Sequence, residues 1–279
     1  MVDSRFGSTN SSGPGLKGLI VAKARAIFRM FLLAILLLTG LLIELLLFPL
    51  LAIGGRERCV KYWSCAVLWV VGVQTKVRGS APTGACQIAA NHSSWLDILT
   101  INSVQVSQFV SKSEVRSWPV VGILSARAGT HFIERSRRSA VHAVLQGMVK
   151  SLQAGRTVAV FPEGTTNDGR SLMPFHANLI QAALDAAVPL KPLAIGYKNS
   201  EGQLSEALEY IGDTSFVASI WRVMQIPAIY ADLAWGTEIA PVGTRHELCH
   251  QAEIQIGALT GLPVVAHQTP VRSDEARRE

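Results

Sequence analysis

Charge is scarce in this 279-residue sequence: 16% of the residues are Asp, Glu, Lys or Arg, against 49% hydrophobic, and mean hydropathy is +0.29. That balance is too apolar for an ordinary soluble chain, and the excess is concentrated near the N-terminus, which points to a membrane. Cysteine is scarce as well. Cys59, Cys65, Cys86 and Cys249 form no C-x-x-C pair and no metal-like spacing, so a disulfide scaffold is excluded and a reducing compartment is the simpler expectation. No internal repeat is present. The charge that does exist is net +6, with a pI of about 9.4. A basic balance suits nucleic acid or an anionic membrane surface, and the hydrophobic segment decides for the membrane and against nucleic acid.

Residues 1–16 are rich in Ser and Gly, carry Pro14 and show no apolar period, so they are expected to be a disordered tail. Lys17, Lys23, Arg25 and Arg29 follow. From Met30 to Ile53 the only charge is Glu44, and at about 1.5 Å per residue the run is long enough to cross a hydrocarbon core of roughly 30 Å. Three features complicate a plain span. Glu44 sits near its middle, where a lone carboxylate is costly; Gly40 and Pro49 could bend it; and the far flank is also basic, with Arg56, Arg58 and Lys61. A second apolar stretch, Tyr62 to Val73, carries Trp63 and Trp69. The two stretches could form a helical hairpin in one leaflet, with both basic ends on the cytoplasmic side. A single span and a hairpin both remain open, and an anchor is expected rather than a cleavable signal, because the run is long and lacks a clear small-residue cleavage site.

From about residue 75 the pattern becomes an α/β alternation. Strands are expected at Thr75–Arg78, Cys86–Ala90, Gln108–Val110, Thr130–Ile133, Thr157–Phe161, Leu190–Ile195 and Ala228–Leu233. Helices are expected at Trp95–Val104, Val120–Ala126, Arg138–Leu152, Leu179–Ala187, Phe216–Val223 and Arg245–Leu259. The fold class is therefore α/β: a central, mostly parallel or mixed sheet flanked by helices, preceded by a membrane-embedded helix or helical hairpin. The boundaries are a tail over 1–16, an anchor over 17–74, an α/β domain over 75–265 and a polar tail over 266–279.

Three stretches carry chemistry. In Asn91-His92-Ser93-Ser94-Trp95-Leu96-Asp97, a histidine and an aspartate five residues apart lie at a strand-to-helix turn. The carboxylate can there orient the imidazole and raise its basicity, as a general base needs; the plainer reading is a histidine that caps the helix. Phe161-Pro162-Glu163-Gly164-Thr165-Thr166 follows the clearest buried strand, where α/β proteins place ligand sites, or is an ordinary Pro-Gly turn. Gly129-Thr130-His131-Phe132-Ile133-Glu134-Arg135, with Arg137 and Arg138 behind it, offers an arginine cluster suited to an anionic headgroup, or a charged helix start.

In this order, and with the late Val188-Pro189-Leu190-Lys191-Pro192, these motifs resemble the glycerolipid and lysolipid acyltransferase family typified by bacterial 1-acylglycerol-3-phosphate acyltransferase. The likeness runs from about residue 75 to 200 and makes 75–265 an acyltransferase domain. It implies that His92 takes the proton of a lysolipid hydroxyl attacking an acyl thioester, with Asp97 holding the ring, so that Ser93 and Ser94 are turn residues rather than nucleophiles. It also implies an acceptor site at Glu163, Gly164, Thr165 and Thr166, a headgroup contact at Arg135, and oxyanion donors among backbone N–H groups near these turns. No metal and no cofactor are required. The donor would be an acyl carrier protein or coenzyme A thioester, and the enzyme would sit on the inner membrane with its site facing the cytoplasm.

One departure matters. Phosphatidate-forming members of the family commonly read F-P-E-G-T-R, and here Thr166 stands in place of that arginine. The run through Asn167-Asp168-Gly169 resembles instead the branch that acylates lyso-ornithine lipid, an acceptor without phosphate. Arg135, Arg137, Arg138, Lys112 and Arg170 remain to bind a phosphate, and lysophosphatidate is slightly favoured because it is the common acceptor in the family the sequence resembles.

A rival of another class is His246-Glu247-Leu248-Cys249-His250, an H-E-x-x-H pattern on an expected helix, which would make the chain a membrane zinc metalloprotease. Its usual continuation is absent: Glu253 and Ile256 occupy the places of the glycine and the third histidine. The plainer reading is a solvated helix.

Overall fold

The computed structural model describes residues 15–134, 138–205, 208 and 215–265. The expected tails, Arg135 and Arg137 lie outside the described residues, apart from Gly15 and Leu16, and Leu16 already belongs to the first helix.

Helix α1 (Leu16–Leu46) begins well before the apolar run and includes the basic residues Lys17 to Arg29. It ends before Pro49, the chain turns, and α2 (Ile53–Val71) runs back. The apolar stretch from Met30 to Ile53 is thus broken at Leu46, because proline lacks the N–H that would continue the ladder. α1 runs unbroken through Gly40. That glycine makes room for Trp63: a Cβ there would lie 2.7 Å from the indole nitrogen, which donates to the Leu36 carbonyl at 2.8 Å. The two aromatic rings flanking that contact on α2, Tyr62 and Trp69, point outward and are exposed.

After the hairpin come β1 (Val73–Arg78), β2 (Gln87–Ala90), α3 (Leu96–Val104), β3 (Gln108–Lys112), α4 (Val121–Arg127), β4 (His131–Ile133) and α5 (Arg138–Gln153). They are followed by β5 (Val158–Val160), α6 (Gln181–Asp185), β6 (Leu190–Lys198), α7 (Phe216–Met224), β7 (Ile229–Trp235) and α8 (Arg245–Thr260). The helix expected over Leu179–Ala187 is a tighter 3₁₀ turn, Ala177–Ile180, leading into the short α6. The seven strands form one sheet in the order β1-β7-β6-β2-β5-β3-β4, parallel at every pair except β6–β7.

Alternation along the strands assigns the two faces. Ile88 and Ala90 of β2 and Ala159 of β5 pack with α1, α2, α3 and α7. Ala89, Val158 and Val160 pack with α5, α6 and α8. Strands β2 and β5 are buried on both faces and read as continuous apolar runs, as central parallel strands do. Their carboxyl ends therefore emerge side by side at one edge of a rigid three-layer body.

Candidate active site

His92 lies just past the end of β2, and Glu163 just past the end of the neighbouring β5. Asn91 fixes the first turn to β6: its amide nitrogen donates to the Ile195 carbonyl and its amide oxygen accepts from the Ile195 N–H, both at 2.8 Å. With a side chain 2% exposed and bonded on both sides, Asn91 is a clamp and not a glycosylation acceptor.

Asp97, in the first turn of α3, is fully buried and reaches back over the turn. Its Oδ2 accepts from the Ser93 N–H at 2.9 Å and the Ser94 N–H at 3.0 Å, and lies 2.7 Å from His92 Nδ1. Its Oδ1 accepts from the Tyr197 hydroxyl at 2.7 Å. Four donors offset the cost of burying that carboxylate. Because a carboxylate can only accept, Nδ1 carries the hydrogen and Nε2 keeps its lone pair for chemistry. Burial, together with the Asp97 charge, pushes the Tyr197 phenol well above its ordinary range, so it stays a donor. The His92 ring is stacked on Phe161, with centroids 3.9 Å apart and planes 12° from parallel.

Glu163 is turned inward, 3% exposed. Its Oε1 accepts from the His92 N–H at 2.6 Å, and its Oε2 accepts from the Met173 N–H at 2.9 Å and from the Asn167 side-chain amide. The Asn167 N–H in turn reaches the His92 carbonyl at 3.1 Å. The two turns are thereby tied into one unit. Burial pushes the Glu163 carboxyl up to about 7, against the pull of the hydrogen bonds from His92, Met173 and Asn167 and of the His92 charge. Gly164 has φ +73°, a left-handed conformation that a side chain would strain. Thr165 is exposed, and Thr166 is half-buried beside His92 on the wall of a cavity.

That cavity, about 330 Å³, is mostly apolar. It starts at His92, Trp95 and Thr166 and runs beneath the hairpin, walled by Leu33, Leu37, Ile43, Val67 and Phe109. The arrangement presents a basic nitrogen, oriented and desolvated on one side, at the mouth of a space shaped for a hydrocarbon chain.

The structure thus brings His92, Asp97, Glu163, Gly164, Thr165 and Thr166 together. Arg135 lies outside the described residues. The amides expected as oxyanion donors are taken in part, since the N–H groups of His92, Ser93 and Ser94 all serve carboxylates. Tyr197 was not singled out from the sequence, and Phe161 was read only as the start of its motif, not as the ring on which His92 stacks. For Tyr197 a signal exists: Leu193, Ile195 and Tyr197 alternate on the face of β6 that meets α3.

The H-E-x-x-H pattern has another use. Thr244 Oγ1 accepts from the Glu247 N–H at 3.3 Å and the Glu247 carboxylate accepts from the Thr244 N–H at 2.7 Å, a capping box that starts α8. His246 and His250 are exposed, and among the described residues no group of three His, Cys, Asp or Glu side chains is placed to hold a metal.

Comparison with known proteins places this geometry in context. A family model described as Acyltransferase matches residues 74–196. The 1-acyl-sn-glycerol-3-phosphate acyltransferase of Neisseria meningitidis is 32% identical over 209 residues, covering 74% of this chain and 82% of the relative. The lyso-ornithine lipid O-acyltransferase of Pseudomonas aeruginosa is 35% identical over 170 residues, covering 61% of this chain and 65% of the relative. The crystal structure of the 1-acyl-sn-glycerophosphate acyltransferase of Thermotoga maritima superposes with a TM-score of 0.66 at 18% identity, over 88% of this chain and 95% of that one, a likeness of fold.

Proposed function

The chain belongs to the acyltransferase family, and from that premise we propose that it is a membrane-bound lysolipid O-acyltransferase. The observation that carries the proposal is the Asp97-held imidazole opening onto an apolar cavity. His92 Nε2 accepts the proton of the lysolipid hydroxyl as that oxygen attacks the thioester carbonyl. The tetrahedral intermediate collapses, the C–S bond breaks, and the imidazolium returns its proton to the departing thiolate. Asp97 orients the ring and stabilises its charged form, Tyr197 and the Ser93 and Ser94 amides hold Asp97, and the apolar cavity takes the acyl chain. Glu163, Gly164, Thr165 and Thr166 build the acceptor turn, with Arg135 as a headgroup contact. The donor is a thioester of acyl carrier protein or coenzyme A.

We assign residues 17–74 as the anchor and 75–265 as the acyltransferase domain. α1 is long and apolar enough to cross a membrane, the one such helix among the described residues. It is nevertheless tied to the body from its middle to its C-terminal end. Arg25 donates to the Gln225 carbonyl at 2.7 Å and Arg29 to the Ile226 carbonyl at 2.5 Å, while Arg127 donates to the Glu44 carbonyl at 2.8 Å. Its outer face exposes Ile20, Ile27, Phe31, Ile35, Leu38, Leu42 and Leu46. A helix bound lengthwise to a globular body cannot cross a bilayer without drawing that body in. We therefore favour the hairpin lying in one leaflet, on the cytoplasmic side of the inner membrane.

The acceptor is lysophosphatidate, supported by the longer match to the Neisseria relative. A second reading, lyso-ornithine lipid, is favoured by Thr166, which puts no cation where a phosphate would sit, and by the Pseudomonas relative. Purified enzyme in detergent, given both acceptors in competition and both thioester donors, tests the proposal: acylation of one acceptor is expected, and acylation of neither overturns it.

A further inference from the structure

The one charge in the first apolar run, Glu44, is 5% exposed and faces inward rather than toward lipid. It lines the cavity beneath the hairpin, and its Oε2 is buried with no hydrogen-bond partner. The Arg127 charge acts on this carboxyl from nearby, but its guanidinium donates to the Glu44 backbone carbonyl and leaves Oε2 without a hydrogen bond. Ser64, on α2, is 1% exposed, lines the same cavity, and its Oγ is likewise buried without a partner. A cavity that served only a plain hydrocarbon chain would have no use for two orphaned polar groups, each of which costs about 1–3 kcal/mol when unpaired.

The fold locates the two groups along the cavity. His92 stands at the carboxyl ends of the central strands. Arg127 ends α4 two residues before Gly129, which packs against Gln108 at the amino end of β3. Glu44 therefore lies at the end of the cavity remote from His92, with Ser107 and Ala128 also on the wall there. The contact between Gly40 and Trp63, in antiparallel helices, sets Ser64 closer to the middle.

We propose that Glu44 and Ser64 form a polar subsite for an acyl chain that carries a hydroxyl beyond its midpoint, toward the methyl end. This rests on the reading of the cavity as the acyl site and adds the chemical class of the chain. A hydroxyl can donate to the Glu44 carboxyl and accept from the Ser64 hydroxyl, so a chain bearing one at either depth satisfies a group that a plain chain leaves unpaired. A site built to hydrogen-bond a substrate hydroxyl discriminates strongly against the analogue without it.

The test uses acyl thioesters matched in length, plain or hydroxylated beside the thioester, at mid-chain, or near the methyl end. Purified full-length enzyme is expected to favour the distally hydroxylated chain over the plain one by about tenfold in kcat/KM, with no such preference for a hydroxyl beside the thioester. Glu44→Leu should reverse the ratio, Glu44→Gln should keep most of it, and Ser64→Ala should lower it for the mid-chain hydroxyl. Equal use of plain and hydroxylated chains, or a ratio unmoved by both Glu44→Leu and Ser64→Ala, overturns the inference and leaves the acyltransferase reading intact. Displacement of a fluorescent fatty acid by the same plain and hydroxylated acids reads the preference without turnover. If the enzyme acylates neither acceptor, that measurement still decides the subsite on its own.

Discussion

Two helices of this protein begin beside a histidine and an acid, and they differ in what the acid holds. At α3, Asp97 is fully buried and turns back onto two backbone amides and the His92 ring. At α8, Glu247 is exposed and spends its carboxylate on the Thr244 amide, while His246 and His250 face solvent. Each acid accepts from backbone N–H groups at or just before the start of its helix. Only the first does so where water is excluded and a fourth donor, Tyr197, completes its shell. The same residue types thus yield an oriented imidazole in one place and a cap in the other, and burial makes the difference.

The contrast is sharpest in kinetics. His92→Ala is expected to lower kcat by roughly 10²–10⁴-fold, whereas His246→Ala and His250→Ala should leave it within about twofold. An unchanged rate for His92→Ala would remove the base from its role, and a large loss at His250 would reopen the metal reading. Asp97→Asn should cost nearly as much as the loss of the histidine, because an amide can present its NH₂ group to Nδ1 and favour the wrong tautomer. At the other helix, Thr244→Ala removes the cap and should lower stability by about 1 kcal/mol in denaturant titration, with kcat per folded molecule unchanged.

Next in size is Tyr197→Phe, which deletes one charge-assisted bond to Asp97 and should lower kcat about tenfold while KM stays close to wild type. Thr166→Arg tests the acceptor. It should raise kcat/KM for lysophosphatidate over lyso-ornithine lipid by about tenfold, and an unmoved ratio would place the headgroup elsewhere.

The smallest effect is a pH dependence. The folded Glu163 carboxyl holds its proton up to about 7, against 4.5 for the ordinary group, so between those values the folded state binds more protons than the unfolded one. Its contribution is greatest below pH 4.5 and is lost as pH rises through 7. The difference in melting temperature between wild type and Glu163→Gln should therefore drift against the wild type across that window. A constant difference would mean that Glu163 does not titrate there.

Most of the order of elements was legible from periodicity and breakers, since strands such as Val158–Val160 are buried on both faces and helices such as Arg138–Gln153 carry one apolar stripe. The motif residues that the structure brings together at the candidate site were legible as well. The inward direction of the Glu163 carboxylate was not, because only the packing of the β5 turn against the β2 turn supplies its donors. Nor was Tyr197, whose partner is 100 residues away.

The sequence alone determined that an apolar N-terminal segment precedes an α/β domain with a histidine and an aspartate at one strand end, since local pattern and turn chemistry suffice for that. Tertiary structure decided which of two histidine–acid pairs is buried and oriented. It also decided that Glu44 faces a cavity rather than lipid, and that α1 is bound lengthwise to the body. Each of those depends on contacts between segments far apart in the chain, and on the exclusion of water that only the assembled layers provide.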